Sequence, residues 1–514
     1  MRFTMIFLVC LIAGCGRSVV PEVHNPALIL SECPGFSERG KPPLVSGAEC
    51  GSLAVAENPR KPDGEVVPLS ILRLPAIHPA PLSDPLFIIV GGPGQSAVEL
   101  AEQIFHTFEE TRKYRDIVFL DQRGTGSSHP LECEGLAALG SKLTFSEQKP
   151  AIQNALRNCA NQLGERYQFY TTPYAAEDLE QVRQALGYPT INIWSVSYGT
   201  RVALEYMRRY PQAVRTAVLD GVAPVAIALP WSAERDAFAS LQRVNQQCAD
   251  NTHCRLQYGD LVEQAQTVAV RLQQEPVNLT IKHPSTGLPY ELEITHELFA
   301  SALRMALYSR DLARLLPLAI HHSSAGDFHL LAALVALAEQ RSGLSGISLG
   351  MHYTVLCNED FPQYQAQNVQ ASEQFLLLSA VQTTREACEI WPRQPLAPEY
   401  FTAVESAVPT LLLSGARDPV TPPVWGEQVR AGLSKAKHAV APGGHHSITF
   451  EGCTSRLIAQ FIHTADIDAL DISCVERILP LSPYYELHPE TLADLAQQPG
   501  LEQQSDVEQK EGDD

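Results

Sequence analysis

The sequence predicts an α/β fold, a mostly parallel sheet flanked by helices with a helical cap inserted into it, and three observations carry that prediction. Short apolar runs end in glycine loops. Leu86 to Val90 leads into Gly91-Gly92-Pro93-Gly94, and Asp116 to Leu120 into Asp121-Gln122-Arg123-Gly124-Thr125-Gly126. Such runs suit parallel strands covered on both faces. Thr190 to Val196, rich in β-branched and aromatic residues, passes at Ser197 directly into a helical pattern. The alternation then fails from about Trp231 to Tyr400, where helical periodicity dominates, and strand signals resume at Thr410 to Leu413.

Taken in order, residues 1–14 read as a lipoprotein signal peptide. Met1 and Arg2 precede an apolar run from Phe3 to Ala13 that is too short to span a bilayer, and Ile12-Ala13-Gly14-Cys15 follows. Small residues before Cys15 suit a peptidase cleft, and Cys15 at the new N-terminus is the expected site of diacylglycerol attachment. By resemblance to bacterial lipoproteins, Gly16 in place of aspartate points to the outer membrane. The expected product is an exported, periplasm-facing protein tethered by lipid alone, since no later stretch is long and apolar enough to span a membrane.

Export makes the cysteines informative. Of 12, Cys10 leaves with the signal and Cys15 carries lipid, so ten remain. Pairing neighbours closes the shortest loops: Cys33–Cys50, Cys133–Cys159, Cys248–Cys254, Cys357–Cys388 and Cys453–Cys474. A zinc cluster is disfavoured because no C-x-x-C pair occurs. The formal net charge of -20 argues against nucleic-acid binding, which needs a basic face.

Residues 15–50 form a Pro-rich lead-in, and 51–230 the first part of the α/β core. Within it, Ala176 to Leu186 is an amphipathic helix with Leu179, Val182 and Leu186 on one face and Gly187 as its stop. The helix from Tyr198 to Tyr210 buries Val202, Leu204 and Met207 and stops at Pro211. Ala217 to Leu219 adds a short strand. Residues 231–405 are the helical cap, with Glu297 to Tyr308 and His329 to Arg341 as its clearest helices. Residues 406–475 complete the core through Thr410 to Leu413 and His438 to Ala441. Residues 476–514 form a C-terminal extension whose polar, mostly acidic end, Leu501 to Asp514, is expected to be disordered.

A serine on a sharp strand-to-helix turn has its hydroxyl pushed out of the sheet, with the next amide and the helix's positive end facing any oxyanion. Ser197 stands at such a nucleophile elbow, in which Ser195 and Gly199 hold the small-residue positions. Asp418 follows a later strand in the turn Asp418-Pro419-Val420-Thr421-Pro422, and two adjacent histidines, His445 and His446, come near the end. Serine, aspartate, histidine is the chain order of an α/β-hydrolase triad. Serine is a poor nucleophile until an imidazole takes its proton, and that imidazole needs a carboxylate to hold its tautomer. Only one of the two histidines can face Ser197. The Gly91-Gly92-Pro93-Gly94 loop is placed to supply one oxyanion-hole amide, Gly92 before Gly91, and Tyr198 the other.

The motifs Gly91-Gly92-Pro93-Gly94, Asp121-Gln122-Arg123-Gly124-Thr125-Gly126, Ser195 to Arg201 and Ser414 to Pro422 together resemble the prolyl aminopeptidase and tripeptidyl aminopeptidase family of α/β-hydrolase serine peptidases. Tyr170-Thr171-Thr172-Pro173, Asp178-Leu179, Leu186-Gly187-Tyr188, Gly350-Met351, Cys357-Asn358-Glu359-Asp360 and Cys388-Glu389-Ile390-Trp391-Pro392 resemble its secreted tripeptidyl branch. The likeness covers roughly residues 45 to 475. There are two departures. Ser195 replaces the family's glycine and should strain the turn. The family's Gly-His-Gly or Gly-His-Ser pattern before Gly-Cys, laid on Pro442 to Cys453, selects His446 and puts His445 in place of a glycine.

The resemblance implies a serine exopeptidase that acts through an acyl-enzyme on Ser197 and takes a peptide with a free N-terminus; separately, no cofactor or metal is expected, and a monomer is. Recognition of an ammonium calls for a buried carboxylate, and Glu359 with Asp360, beside Cys357, is the expected pair. The alternatives are a carboxylesterase using the same triad and a catalytically silent envelope lipoprotein.

Overall fold

The computed structural model describes residues 28–33, 47–133, 145–341, 346–367 and 378–484. The signal segment with Cys15 and the acidic tail lie outside the described residues. The sheet has nine strands in the order β1-β2-β3-β5-β4-β6-β7-β10-β11. These are β1 (Ser31–Glu32), β2 (Glu49–Ala56), β3 (Val66–Leu74), β4 (Leu86–Ile89), β5 (Ile117–Leu120), β6 (Ile191–Val196), β7 (Val214–Asp220), β10 (Thr410–Gly415) and β11 (Ala436–Ala441). β1, β2, β3 and β5 pair antiparallel, and from β5 to β11 every pairing is parallel. The N-terminal antiparallel strands β1, β2 and β3 are not among the strands read from the sequence.

The continuous apolar runs are explained by two covered faces. Phe87, Ile89, Val118, Leu120, Ile193 and Leu219 join one core, while Leu86, Ile88, Phe119, Trp194, Val218 and Leu413 join the other. Neighbours along a strand point to opposite faces, so a strand buried on both sides has no polar alternation. The first core takes the helices Thr172–Ala185 and Tyr198–Arg209, and the second takes Ala97–Ile104 and Thr454–Thr464.

The insertion has two destinations. Residues from Ala237 to Val335 build their own core from the helices Trp231–Asp250, Leu261–Gln274, His296–Leu307, Leu316–Ser324 and His329–Arg341. A hairpin of β8 (Val277–Lys282) and β9 (Pro289–Ile294) covers this bundle, an antiparallel pair within a stretch expected to be mainly helical. By contrast, Met351, Val355, Phe361, Ala387 and Trp391 pack into the core beside the sheet. Part of the sequence between the two sheet segments therefore supports the nucleophile helix rather than forming a separate lid.

Disulfides join Cys33–Cys50, Cys133–Cys159, Cys248–Cys254, Cys357–Cys388 and Cys453–Cys474, with Cα separations from 4.8 to 6.3 Å. Among the described residues, no helix is long and apolar enough to cross a membrane and no group of three or more His, Cys, Asp or Glu side chains is arranged to hold a metal ion.

Candidate active site

Ser197 follows the last residue of β6 and precedes the helix Tyr198–Arg209 with φ 56° and ψ -129°, a conformation that costs a non-glycine residue on the order of 1–3 kcal/mol. The turn is held on both sides. Ser197 N donates to the Asp220 carbonyl at 2.9 Å, and the Thr200 amide and hydroxyl donate to the Ser197 carbonyl at 2.9 and 2.6 Å. Gly199 is obligatory, since a Cβ there would lie 2.4 Å from the Ile89 carbonyl oxygen. Ser195 does not carry the expected strain: it sits in register on β6, its φ is not positive, and its hydroxyl donates to the Val218 carbonyl at 3.2 Å. Within the elbow, Ser197 is the non-glycine residue with positive φ.

The Gly91-Gly92 backbone lies against the nucleophile. A Cβ on Gly91 would sit 2.8 Å from Ser197 Cβ, and Gly92 has φ 107°. Tyr198 N–H is the first amide of its helix, one of those with no intrahelical partner and with the helix's positive end behind it. The Tyr198 ring is buried, its hydroxyl 2.9 Å from Thr172 Oγ1.

Asp418 follows β10 and is fully buried. It accepts from the amides of Val420 and Thr421, each at 2.8 Å, from the Thr421 hydroxyl at 2.7 Å and from His446 Nδ1 at 2.8 Å. Burial opposes its charge, yet the His446 imidazole and these donors hold the carboxyl below its ordinary range. Conversely, burial disfavours the imidazolium of His446, but Asp418 outweighs it and holds the imidazole above its ordinary value. With Nδ1–H donated to Asp418, the Nε2 lone pair is left free. The ring packs edge-on against Tyr308, centroids 5.0 Å apart, and over Gly221, where a Cβ would meet His446 Cε1 at 3.2 Å.

His445 turns the other way. Its Nδ1–H donates to the Leu307 carbonyl at 2.5 Å, tying the end of helix His296–Leu307 to the core, and burial lowers it to about 4. Asp220, which sequence reading missed, fixes the loop that follows. It accepts from the hydroxyls of Ser447 and Thr449 at 2.7 and 2.6 Å and from the amides of Ile448 and Thr449 at 3.1 and 2.8 Å. The signal was available, because Asp220 ends an apolar strand just as Asp418 follows one.

Ser197, His446 and Gly92 line one cavity of about 700 Å3, together with Gln95, Arg304, Tyr308, Asp311, Phe450 and Glu451. The Asp121-Gln122-Arg123-Gly124 motif supports it from behind. Asp121 accepts from Ser96 Oγ at 2.7 Å and Val98 N at 3.0 Å, which seats the helix after the Gly-Gly-Pro-Gly loop, and Arg123 forks onto Asp178 at 2.6 Å through both nitrogens.

Glu359 and Asp360, the expected amine-binding pair, are engaged within the core. Both are fully buried and their oxygens are taken: Glu359 accepts from Thr172 N at 2.7 Å, Thr172 Oγ1 at 2.8 Å and Tyr400 OH at 2.5 Å. Asp360 accepts from Leu229 N at 2.9 Å and from both terminal nitrogens of Arg201, at 3.0 and 2.8 Å. They pin Arg201, on the nucleophile helix, to the turn Leu356–Asp360. Neither lines the cavity of Ser197.

A family model described as alpha/beta hydrolase fold matches residues 84–452. The serine protease Hip1 of Mycobacterium tuberculosis is 28% identical over 488 residues, which covers 88% of this chain and 91% of that protein. The tripeptidyl aminopeptidase of Streptomyces lividans is 28% identical over 193 residues, 35% of this chain and 36% of its own. Among solved structures, a proline iminopeptidase of Mycobacterium smegmatis aligns with 81% of this chain and 99% of its own at 16% identity and a TM-score of 0.36. The family model spans most of the chain, from β4 to beyond the His446 loop, and the chain belongs to the alpha/beta hydrolase fold family.

Proposed function

We propose that the protein is a serine peptidase of the exopeptidase kind, which releases an amino acid or a short N-terminal fragment from peptides through an acyl-enzyme on Ser197. One observation carries this reading: a serine strained into an elbow shares a cavity with an imidazole whose Nδ1 is 2.8 Å from a buried aspartate. The peptidase names of relatives supply the substrate class.

In this mechanism the Ser197 hydroxyl attacks the scissile carbonyl while His446 Nε2 takes its proton. The tetrahedral oxyanion is met by the amides of Gly92 and Tyr198, aligned before the charge develops. His446 then returns the proton to the leaving amine, and the ester on Ser197 is hydrolysed by water with the same imidazole as base. Asp418 keeps its proton off, holds the tautomer and stabilises the imidazolium.

Hydrolysis of a tripeptidyl anilide with a free N-terminus, its acetylated twin and a short acyl ester by the wild type and Ser197→Ala tests the reading. Cleavage of the free-amine anilide, lost in the variant, is expected. Cleavage of the ester alone makes the protein an esterase, and no cleavage makes it a silent module. We also propose that Cys15 carries a lipid that holds the domain on the outer membrane, facing the periplasm, on the strength of the signal and cysteine sequence. Loss of radiolabelled fatty acid and of membrane retention in Cys15→Ser is the expected outcome.

A further inference from the structure

An exopeptidase must find the ammonium of its substrate, and a cation entering a partly closed cleft loses water that an anion has to replace. Glu359 and Asp360 are committed elsewhere. Two carboxylates line the cavity of Ser197 and His446, Asp311 and Glu451. Asp311 is exposed, where water screens its charge. Glu451 is only 16% exposed along its side chain, and its Oε2 has no hydrogen-bond partner.

We propose that Glu451 receives the α-ammonium of the peptide, which sets the register of the scissile bond over Ser197; this rests on the exopeptidase reading. The nearest cation is Arg310, but its Nη1 stands 3.7 Å from Oε2, beyond hydrogen-bond distance, and it also donates to the Leu479 carbonyl. Arg304 is engaged with Tyr308, its Nη1 3.2 Å from the hydroxyl and its guanidinium over the ring. Asp220, whose charge also reaches Glu451, already accepts four hydrogen bonds. Burial, reinforced by Asp220 and Asp311, lifts the Glu451 carboxyl to about 7 against the pull of Arg310. A substrate ammonium can supply the hydrogen bonds that Arg310, at 3.7 Å, does not.

The backbone that presents Glu451 is fixed. Its amide donates to the Ile448 carbonyl at 3.0 Å and its carbonyl accepts from Thr454 N at 3.1 Å, two residues from the Cys453–Cys474 disulfide and five from His446. The ammonium site and the general base are therefore held by one short loop. Apolar lining from Met305, Leu312, Ile347 and Phe450 leaves room in the same cavity for uncharged side chains.

The test compares kcat/KM for a free-amine tripeptidyl anilide with that for its acetylated twin, at pH 8, in the full-length wild type, Glu451→Gln and Glu451→Asp. Labelling of Ser197 by a phosphonate reports that each variant is folded. We expect the free-to-acetylated ratio to fall on the order of 10- to 100-fold in Glu451→Gln, mostly through KM, and by less in Glu451→Asp. A ratio within about twofold of wild type in Glu451→Gln overturns the assignment and leaves the exopeptidase reading intact. If Glu451→Gln does not label, Glu451→Asp decides by the same ratio. A wild type that does not discriminate between the two anilides overturns both.

Discussion

His446 Nδ1 lies 2.8 Å from Asp418 Oδ2, and the Thr421 hydroxyl sits between them, 2.7 Å from the carboxylate and 3.1 Å from the ring nitrogen. The imidazole is thus held in one tautomer by two groups that come from the same turn. Replacing Asp418 by Asn presents an amide where an acceptor is needed and turns the tautomer over. Asp418→Asn is expected to lower kcat on the order of a thousand- to ten-thousand-fold with far less change in KM. An effect confined to KM would contradict the assignment.

The same pair sets the pH profile. Because Asp418 holds the His446 imidazole above its ordinary value, the acidic limb of kcat/KM should titrate above about 6.5. The stability carried by the raised imidazole is present at low pH and lost as pH rises through its folded value. That carried by the depressed Asp418 carboxyl is present above its ordinary value and lost as pH falls through its folded one. An acidic limb at or below 6.5 in wild type would count against the coupling.

His445 gives the opposite sign. It is buried and neutral, lowered to about 4, so between pH 6.5 and 4 the unfolded chain takes up a proton that the folded chain refuses. Stability should fall by about 3 kcal/mol across that window. In His445→Gln, whose amide can still donate to the Leu307 carbonyl, this part of the loss should disappear when urea midpoints at pH 7.5 and 4.5 are compared. Equal losses in both proteins would argue against it.

Asp220 receives four hydrogen bonds from residues 447 to 449 and so fixes the loop that carries His446. Asp220→Asn turns an amide toward donors. A displacement of His446 of about 1 Å is worth about a hundredfold in kcat. Unchanged kcat, with normal phosphonate labelling, would show that the loop holds its place without Asp220.

Glu359 belongs to the framework. Glu359→Gln leaves part of the Arg201 charge and the Thr172 and Tyr400 donors imperfectly met, at a cost of about 3 kcal/mol in unfolding free energy. The discrimination between free and acetylated N-termini should stay as in wild type. Loss of that discrimination, without loss of stability, would return Glu359 to the substrate site.

The backbone frame of the reaction is legible in the chain itself. Apolar runs without alternation require strands covered on both sides, a serine between such a run and a helical pattern requires an elbow, and an aspartate and a histidine after later runs must reach the same edge of a parallel sheet. These are local rules of burial and backbone geometry. Tertiary structure alone decided the rest. It gave the physical ground for His446 over His445, which the sequence offered only through a family pattern: adjacent side chains diverge, and each meets a partner more than a hundred or nearly thirty residues away, Leu307 or Asp418. It moved Glu359 and Asp360 into an ion-pair core and left Glu451 in the lining of the Ser197 cavity, because which carboxylate is fully hydrogen-bonded depends on donors that arrive from distant segments. A sequence states that a charge exists; only packing determines what neutralises it.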